Sequence, residues 1–223
     1  TESDVSRAAG GHRDPDRVRR TMSSLARNIA TEADNTVIMR DTAIDDTAVS
    51  RSTVLDYLQV LERLMIIENL PAWRTHIRSA ATLRKAPKRH FCDPSVACMA
   101  LGLSPDRLLE DLEYTGFLFE SAVIHDLRVY AQALGGQLYH YRDSNRWEAD
   151  AIIELRDGSW APVEVKLGFG AVGEAAASVS RVADNVDQSK TGPLLGKLVI
   201  TGSGFAHRRP DGVTVVPLAV LGP

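Results

Sequence analysis

Four charged side chains in the second half of this 223-residue chain lie on or directly before two consecutive strand-like runs, A-D-A-I-I-E-L and W-A-P-V-E-V-K-L. An Asp-Gly pair between the runs predicts a hairpin turn, so the two strands should pair antiparallel. Because side chains alternate along a strand, Glu148 and Asp150 share one face, and so do Glu164 and Lys166. Carboxylates bind Mg²⁺, and a lysine beside them supplies a cation next to the attacking water. The pattern therefore predicts a centre for metal-dependent phosphodiester hydrolysis. A half-exposed hairpin with charges on its solvent face is the alternative.

A helix before the hairpin carries a further carboxylate. It is predicted over residues 115–134, where a Gly-Gly pair ends it. Projecting its apolar stripe back by three to four residues reaches Glu120, which lies on the face expected to pack against the sheet. Because an unpaired buried carboxylate is costly, Glu120 either completes the cluster on the hairpin or interacts with the dipole at the start of its helix. The stripe consists of Val123, Ile124, Leu127, Tyr130, Ala131 and Leu134.

The order of elements resembles the PD-(D/E)xK nuclease-like superfamily: a helix with Glu, a strand, a hairpin with D and E-x-K, and then a helix and a strand. More narrowly, the chain resembles the domain of unknown function at the C-terminus of many bacterial and archaeal AAA-type ATPases. The motifs that carry this resemblance are F-E-S-A-V-I-H-D-L, Y-R-D-S-N-R-W-E-A-D and P-V-E-V-K, preceded by T-V-L-D-Y-L-Q-V-L-E-R-L-M-I-I-E-N-L-P-A-W and K-A-P-K-R-H-F-C-D-P. They run from about residue 35 to the C-terminal P-L-A-V-L.

The resemblance implies a role for each residue of the predicted centre. Asp150 and Glu164 would bind Mg²⁺ or Mn²⁺, with the Val165 carbonyl as a main-chain ligand. Lys166 would orient the attacking water or stabilise the charge on the transition state. Glu120 would be an outer ligand or a ligand of a second metal ion.

Three nearby residues have less definite roles. Glu148 aligns with a carboxylate that is frequent in this family. Trp147 stands where related proteins often carry a small residue, and Gln188 lies roughly where some nucleases of the superfamily place a glutamine. An ion pair with a neighbouring carboxylate is expected for Arg142.

The N-terminal part is predicted to be a winged helix. Asp14-Pro15 begins a first helix that reaches about residue 33, a second short helix is expected over residues 45–49, and Ser50 or Ser52 caps the third. Two strand-like runs flanking a basic loop complete the pattern. The expected fold is therefore α/β, with a leader at residues 1–13, a winged helix at 14–93, and a restriction-endonuclease-like domain with a mixed central sheet at 94–223.

Basic side chains in the winged-helix part predict contact with DNA phosphates. Docking of this part onto an ATPase motor domain is the alternative explanation of the same surface. The candidate nucleic-acid-binding residues are Arg51, Arg74, Arg78, Arg84, Lys85, Lys88 and Arg89.

Composition limits the function classes. The net charge of -3 excludes a uniformly basic nucleic-acid binder, and two cysteines are too few for a disulfide framework. No apolar run is long enough to span a membrane, so a cytoplasmic location is expected. The G-P-L-L-G-K-L segment departs from the phosphate-loop pattern, and G-F-G-A-V-G follows a strand that carries charged residues, so we expect no ATP site in this chain.

The predicted function is Mg²⁺-dependent DNA cleavage beside an ATPase domain. An inactive DNA-binding, protein-binding or regulatory module of an ATPase is the alternative.

Overall fold

The computed structural model describes residues 14–44, 49–75, 86–143 and 145–222. The predicted leader at residues 1–13 and residues 45–48 of the predicted second helix lie outside the described part. The chain divides into two compact units. One consists of Thr1–Asn69 with Lys88–Ser121, and the other of Leu70–Pro87 with Ala122–Pro223.

Three capped helices open the N-terminal unit. In each, a side-chain oxygen of the residue before the helix accepts a hydrogen bond from a main-chain N–H of the first turn, which satisfies a donor that has no partner within the helix. For the third helix the cap is Ser50, whose Oγ accepts from the Thr53 N–H at 3.1 Å. The helices are α1 (Pro15–Arg27), α2 (Asn35–Thr42) and α3 (Arg51–Arg63).

Helix α1 is shorter than the sequence predicts. It ends at Arg27 rather than near residue 33. Ala30 adopts a φ of 60°, and its N–H donates to the Arg89 carbonyl at 2.9 Å. The spacing of apolar residues alone predicts a longer helix, but the hydrogen bond from Ala30 to Arg89 turns the chain at this point. Helix α2, which the sequence did not predict, follows this turn.

The rest of this unit contains a two-stranded sheet, β1 (Ile67–Leu70) and β2 (Lys88–Phe91). Two short helices follow, α4 (Pro94–Leu101) and α5 (Pro105–Glu110). Gly102, with a φ of 64°, turns the chain between them. The most buried apolar side chains of the unit's core are Ala26, Ile29, Ile38, Val54, Leu61, Phe91 and Ala97.

Helix α6 (Leu112–Ala133) is the predicted helix that carries Glu120. Of its predicted apolar stripe, Val123, Ile124, Leu127 and Ala131 are buried. Leu134 is 65% exposed, because the helix has already ended and Gly135 turns the chain with a φ of 72°. None of the helices in the described part of the chain combines the length and apolarity needed to cross a membrane.

The second unit is built on a six-stranded mixed sheet, as predicted. The strand order is β3-β4-β5-β6-β8-β7. Strand β4 pairs antiparallel with β3 and β5, the central strands β5, β6 and β8 run parallel, and β7 pairs antiparallel with β8. The strands are β3 (Gln137–Arg142), β4 (Glu148–Glu154), β5 (Trp160–Lys166), β6 (Lys197–Thr201), β7 (His207–Arg208) and β8 (Val213–Pro217).

Helix α7 (Val172–Asn185) connects the parallel strands β5 and β6 and packs on the sheet. Its buried side chains join two apolar clusters, one around Trp160 and Ile152 and one around Val199 and Val215. A short 3₁₀ turn, Phe169–Ala171, leads into the helix and contains part of the glycine-rich segment. Since residues from both faces of β5 are buried, this strand lies in the interior of the unit.

A short segment before the basic loop lies along strand β3. The His140 N–H donates to the Pro71 carbonyl at 2.9 Å, and the Trp73 N–H donates to the His140 carbonyl at 2.7 Å. The Trp73 ring packs against Trp160 and Tyr141, with centroids 4.7 and 6.0 Å away. This segment therefore pairs with β3 through its main chain and joins the core through its indole.

Candidate active site

The β4–β5 hairpin brings the predicted carboxylates to the same stretch of the sheet. Ala151 pairs with Val163 in an antiparallel register, and one further step sets Asp150 opposite Glu164. Directly opposite side chains share a face of a sheet. The antiparallel hairpin predicted from the sequence is confirmed, and the sheet places the two carboxylates side by side.

Glu164 is buried in this arrangement, with 4% of its surface exposed. Its Oε2 accepts a hydrogen bond from Lys166 Nζ at 2.8 Å. Its Oε1 accepts from the Ser178 hydroxyl of helix α7 at 3.0 Å. A half-exposed hairpin with a solvated charged face is therefore the wrong interpretation, because the carboxylate lies beneath a helix.

Burial changes the protonation of Glu164. Loss of solvation, followed in size by repulsion from Asp150, raises the pKa of Glu164 to about 7. The charge of Lys166 and the hydrogen bonds from Lys166 and Ser178 act in the opposite direction. Because burial and the neighbouring Asp150 carboxylate both oppose the ionisation of Glu164, a bound cation would be stabilising here.

Asp150 is held by the main chain of the partner strand. Its Oδ2 accepts a hydrogen bond from the Val165 N–H at 2.8 Å. The main-chain pairing of β4 with β5 ends at Ala151 and Val163. The next N–H of β5 that faces β4 belongs to Val165, and it donates to the Asp150 side chain instead of to a main-chain carbonyl. This contact fixes the Asp150 carboxylate between the two strands.

The Val165 carbonyl points to the same edge of β5 as Asp150. In a strand, the N–H and C=O of one residue face the same neighbouring strand, and successive residues alternate. The Val165 N–H faces Asp150, and the Lys166 carbonyl accepts from the Gly202 N–H at 3.2 Å on the opposite side. The main-chain oxygen that the resemblance implies as a ligand is thus directed towards β4.

The chemistry of these donors fits a hard divalent cation. Mg²⁺ and Mn²⁺ prefer oxygen ligands, and the site offers carboxylate oxygens from Asp150 and Glu164 and the carbonyl oxygen of Val165. The Lys166 side chain is 30% exposed while its Nζ bonds to Glu164. The group has the composition of a metal site with an adjacent cation.

The loop between β3 and β4 is organised by Asp143. Its Oδ1 accepts from the main-chain N–H groups of Asn145 and Trp147, at 2.8 and 2.9 Å, and its Oδ2 accepts from Asn185 Nδ2 at 3.0 Å. These bonds tie the start of β4 to the end of helix α7. Asp143 therefore positions the strand that carries Asp150.

The remaining predicted neighbours lie around this loop. Glu148 is exposed and forms an ion pair with Arg142, with 3.8 Å between Nε and Oε2, as expected for Arg142. Trp147 is partly buried, and Gln188 is exposed in the turn after helix α7. The roles of Glu148, Trp147 and Gln188 in a reaction stay predictions.

Glu120 has a different immediate partner. It belongs to the N-terminal unit, is 8% exposed, and its Oε1 accepts from Lys88 Nζ at 3.1 Å. A buried carboxylate is thus neutralised by a buried lysine. This ion pair also uses one of the cations predicted to contact phosphates, because the Lys88 side chain is 12% exposed.

The other predicted phosphate-binding residues differ in exposure. Arg51 and Arg74 are exposed. Arg89 is 8% exposed, and its guanidinium donates to the Ala33 carbonyl and to Asn35 Oδ1, at 2.8 and 2.6 Å. Arg89 therefore joins parts of its own unit. Arg78, Arg84 and Lys85 lie outside the described residues.

Two residues at the site were not found from the sequence. Ser178 is a polar residue within the mostly apolar run A-A-A-S-V, which is a weak signal for a buried hydrogen bond. Asp143 precedes a polar loop, as many surface aspartates do. Both act through residues distant in sequence, so only the folded chain identifies their partners.

Two family models each match a little less than half of the chain. Residues 115–221 match the family model described as Domain of unknown function (DUF4143). Residues 1–107 match Domain of unknown function (DUF8612). The DUF4143 match contains all six strands of the mixed sheet and the Asp150, Glu164 and Lys166 group.

A solved structure also resembles the chain. It is a refined half-complex from the tetradecameric assembly of Thermococcus gammatolerans McrB AAA+ hexamers with bound McrC, and the sequence identity is 10% over 91% of this chain and 70% of that chain. The TM-score of 0.32 is too low to establish a common fold. No curated protein matches the sequence significantly.

Proposed function

We propose that the second unit is a PD-(D/E)xK nuclease-like domain that hydrolyses phosphodiester bonds of DNA with Mg²⁺ or Mn²⁺. The observation that carries the proposal is the buried Glu164 carboxylate, set opposite Asp150 and bonded at 2.8 Å to the ammonium group of Lys166. The order of α6, β3, β4, β5, α7 and β6 is the order that the resemblance implies.

Each residue then has a distinct role. Asp150, Glu164 and the Val165 carbonyl would hold the metal ion, which when bound supplies a polarised water and neutralises phosphate charge. Ser178 and the Val165 N–H keep the two carboxylates in place through the bonds described above. Lys166 would stabilise negative charge that grows on the phosphate during the reaction.

The N-terminal unit fits a DNA-contacting role in this proposal. Its three helices and two-stranded sheet support the expectation of a winged helix, and Arg51 is exposed at the start of helix α3. Arg74 offers a second exposed cation on the other unit. An ATPase domain in the same parent protein is part of the proposal and rests on the sequence resemblance.

A second candidate is an inactive DNA-binding, protein-binding or regulatory module of an ATPase. One observation favours it: both oxygens of Glu164 and one oxygen of Asp150 already accept protein hydrogen bonds. A site of this kind can be structural, because both oxygens of the buried Glu164 carboxylate already have a hydrogen-bond partner within the protein.

Metal titration followed by a cleavage assay distinguishes the two candidates. We expect the 223-residue protein to bind Mn²⁺ in calorimetry and to cleave linear or plasmid DNA in its presence. Asp150→Asn should abolish both Mn²⁺ binding and DNA cleavage. Lys166→Met should keep metal binding and lower the cleavage rate by roughly 10²- to 10³-fold, as loss of a transition-state cation does.

Glu154→Gln is the matched control for these variants. Glu154 lies on the same strand as Asp150 but at its other end, so the substitution should leave both metal binding and cleavage unchanged. If the folded wild-type protein neither binds Mn²⁺ nor cleaves DNA, the nuclease proposal fails and the inactive module is the better description.

A further inference from the structure

Three aromatic rings form an exposed cluster on the second unit. The Phe169 and Phe205 rings stack with centroids 6.0 Å apart and an interplanar angle of 29°. The His207 ring lies 4.9 Å from Phe205 and 5.9 Å from Phe169. Phe169 and Phe205 are 40% and 66% exposed. We call these three residues the aromatic platform.

The aromatic platform stands at the same end of the sheet as Lys166. Phe169 follows the end of β5 by three residues. Thr201, the last residue of β6, pairs with Lys166, and the next residue, Gly202, donates its N–H to the Lys166 carbonyl at 3.2 Å. The two loops that carry Phe169 and Phe205 therefore leave the sheet directly beyond the proposed reaction centre.

Gly204 makes the ring arrangement possible. It has a φ of 106°, and a Cβ at this position would lie 2.7 Å from Cδ2 of Phe169. Only a residue without a side chain permits this backbone and this close approach. The loop therefore supports the Phe169 ring against its main chain, while the Phe205 ring is left open to solvent.

A cationic side chain adjoins the platform. Arg208, next to His207, is exposed, whereas Arg209 forms an ion pair with Asp211, with 2.9 Å between Nη2 and Oδ2. Positive charge attracts a phosphate backbone, and aromatic faces stack with bases. Arg208 and the exposed rings together therefore offer contacts to the phosphates and the bases of one strand.

We propose that the aromatic platform binds unpaired bases of a single-stranded nucleic acid next to the reaction centre. The bases of a duplex already stack on one another, so exposed rings favour a single strand, a frayed end or a gap. The role of the platform in presenting a strand to the reaction centre rests on the proposed nuclease function. The binding itself requires neither a metal ion nor cleavage.

Oligonucleotide binding in EDTA tests the platform separately from catalysis. The probe is fluorescein-labelled oligothymidylate, with a duplex of the same length for comparison, and the readout is fluorescence anisotropy of the 223-residue protein. We expect the single strand to bind more tightly than the duplex. Phe205→Ala should weaken single-strand binding by about 5- to 100-fold, the range for loss of a stacked base.

Three variants make the result specific. Phe205→Trp should preserve binding, and its indole fluorescence should be quenched when an unlabelled single strand is added. Leu195→Ala removes another exposed apolar side chain of the same unit, which is 58% exposed, and should have no effect. Leu134→Ala, at an exposed residue after the end of helix α6 that is 65% exposed, should also bind the single strand as the wild type does.

The outcomes separate the two proposals. If single-strand binding depends on Phe205 but the protein does not cleave DNA, the platform proposal stands and the nuclease proposal fails. Cleavage with equal binding by wild type and Phe205→Ala overturns the platform and retains the nuclease. Equal affinity for duplex and single strand, with no quenching in Phe205→Trp, also overturns it and leaves a protein-contact surface as the explanation of the rings.

Discussion

Ser178 joins Glu164 to the strand beside it. Its hydroxyl lies 3.0 Å from Glu164 Oε1 and 3.2 Å from the Glu148 carbonyl oxygen. A hydroxyl has one hydrogen to donate, so the two acceptors share a single donor. Helix α7 therefore holds β4 and β5 together at the candidate active site through one polar side chain.

Replacing Ser178 tests this link. At pH 8, where Glu164 is mostly ionised, Ser178→Ala should lower the free energy of unfolding by about 1–2 kcal/mol, because a buried carboxylate loses a donor. Urea unfolding followed by circular dichroism measures the change. Ser180→Ala is the control: its hydroxyl accepts from Lys197 Nζ, and the loss there should stay below about 0.5 kcal/mol. Equal losses in both variants would contradict a special role for Ser178.

The raised pKa of Glu164 predicts how stability depends on pH. Its pKa is about 7 in the folded protein and near the ordinary 4.5 when unfolded. Between these values the folded state binds more protons, so the contribution of Glu164 to stability falls as pH rises from about 4.5 to about 7. Glu164→Gln removes this dependence. Between these two pH values, the free energy of unfolding should fall more steeply with pH for the wild type than for Glu164→Gln. Parallel curves for the two proteins would argue against a raised pKa of Glu164.

Metal binding should release a proton below pH 7. A carboxyl group must be ionised to bind a cation, and Glu164, with a pKa raised to about 7, is largely protonated at pH 6. Titration of Mn²⁺ at pH 6 in two buffers with different ionisation enthalpies should give different heats. At pH 8 the difference should disappear. Buffer-independent heats at pH 6 would show that Glu164 does not take part in binding.

The Lys88 and Glu120 ion pair should contribute strongly to its own unit. Both side chains are about one-tenth exposed, so removing one charge leaves the other buried. Lys88→Met should destabilise the protein by about 3 kcal/mol, and Lys88→Met with Glu120→Leu should recover a large part of the loss. A double-mutant cycle of unfolding free energies measures the coupling. Additive effects of the two single substitutions would show that the pair is not coupled.

Glycine 192 is required by a close main-chain approach. A Cβ at this position would overlap the Gly158 carbonyl, and the Gly192 carbonyl accepts from Trp160 Nε1 at 3.1 Å. Gly192→Ala should therefore cost about 2–3 kcal/mol of stability. Gly196→Ala is the matched control, because among the described residues no atom beyond its chain neighbours lies within 4 Å of its Cβ position. Thermal unfolding that shifts equally in both variants would refute the steric explanation.

Local patterns predicted the elements around the candidate site well. Alternation of side chains and the Asp-Gly turn gave the β4–β5 hairpin, and the glycine pair gave the end of helix α6. These features depend on residues close together in sequence. The direction of each charge within the fold depends on distant partners, which is why the Glu164 contact with Ser178 was not predicted.

Long-range contacts also explain the errors. Helix α1 ends early because Ala30 bonds to the Arg89 carbonyl, and no local signal near residue 28 contains that information. Arg89 was predicted to contact phosphates from its position in a basic run, but its guanidinium is nearly covered by groups around residues 33–35. Charge clusters in sequence do not reveal which cations fold inward.

The segment around Ala72 has a consequence for solubility. Strand β3 is an edge of the six-stranded sheet, and an open edge offers unpaired N–H and C=O groups to another molecule. The Pro71 and Trp73 main chain occupies those groups at His140, and the opposite edge is the two-residue strand β7. Both edges are thus poor templates for a strand from a second molecule, which protects the sheet against edge-to-edge aggregation.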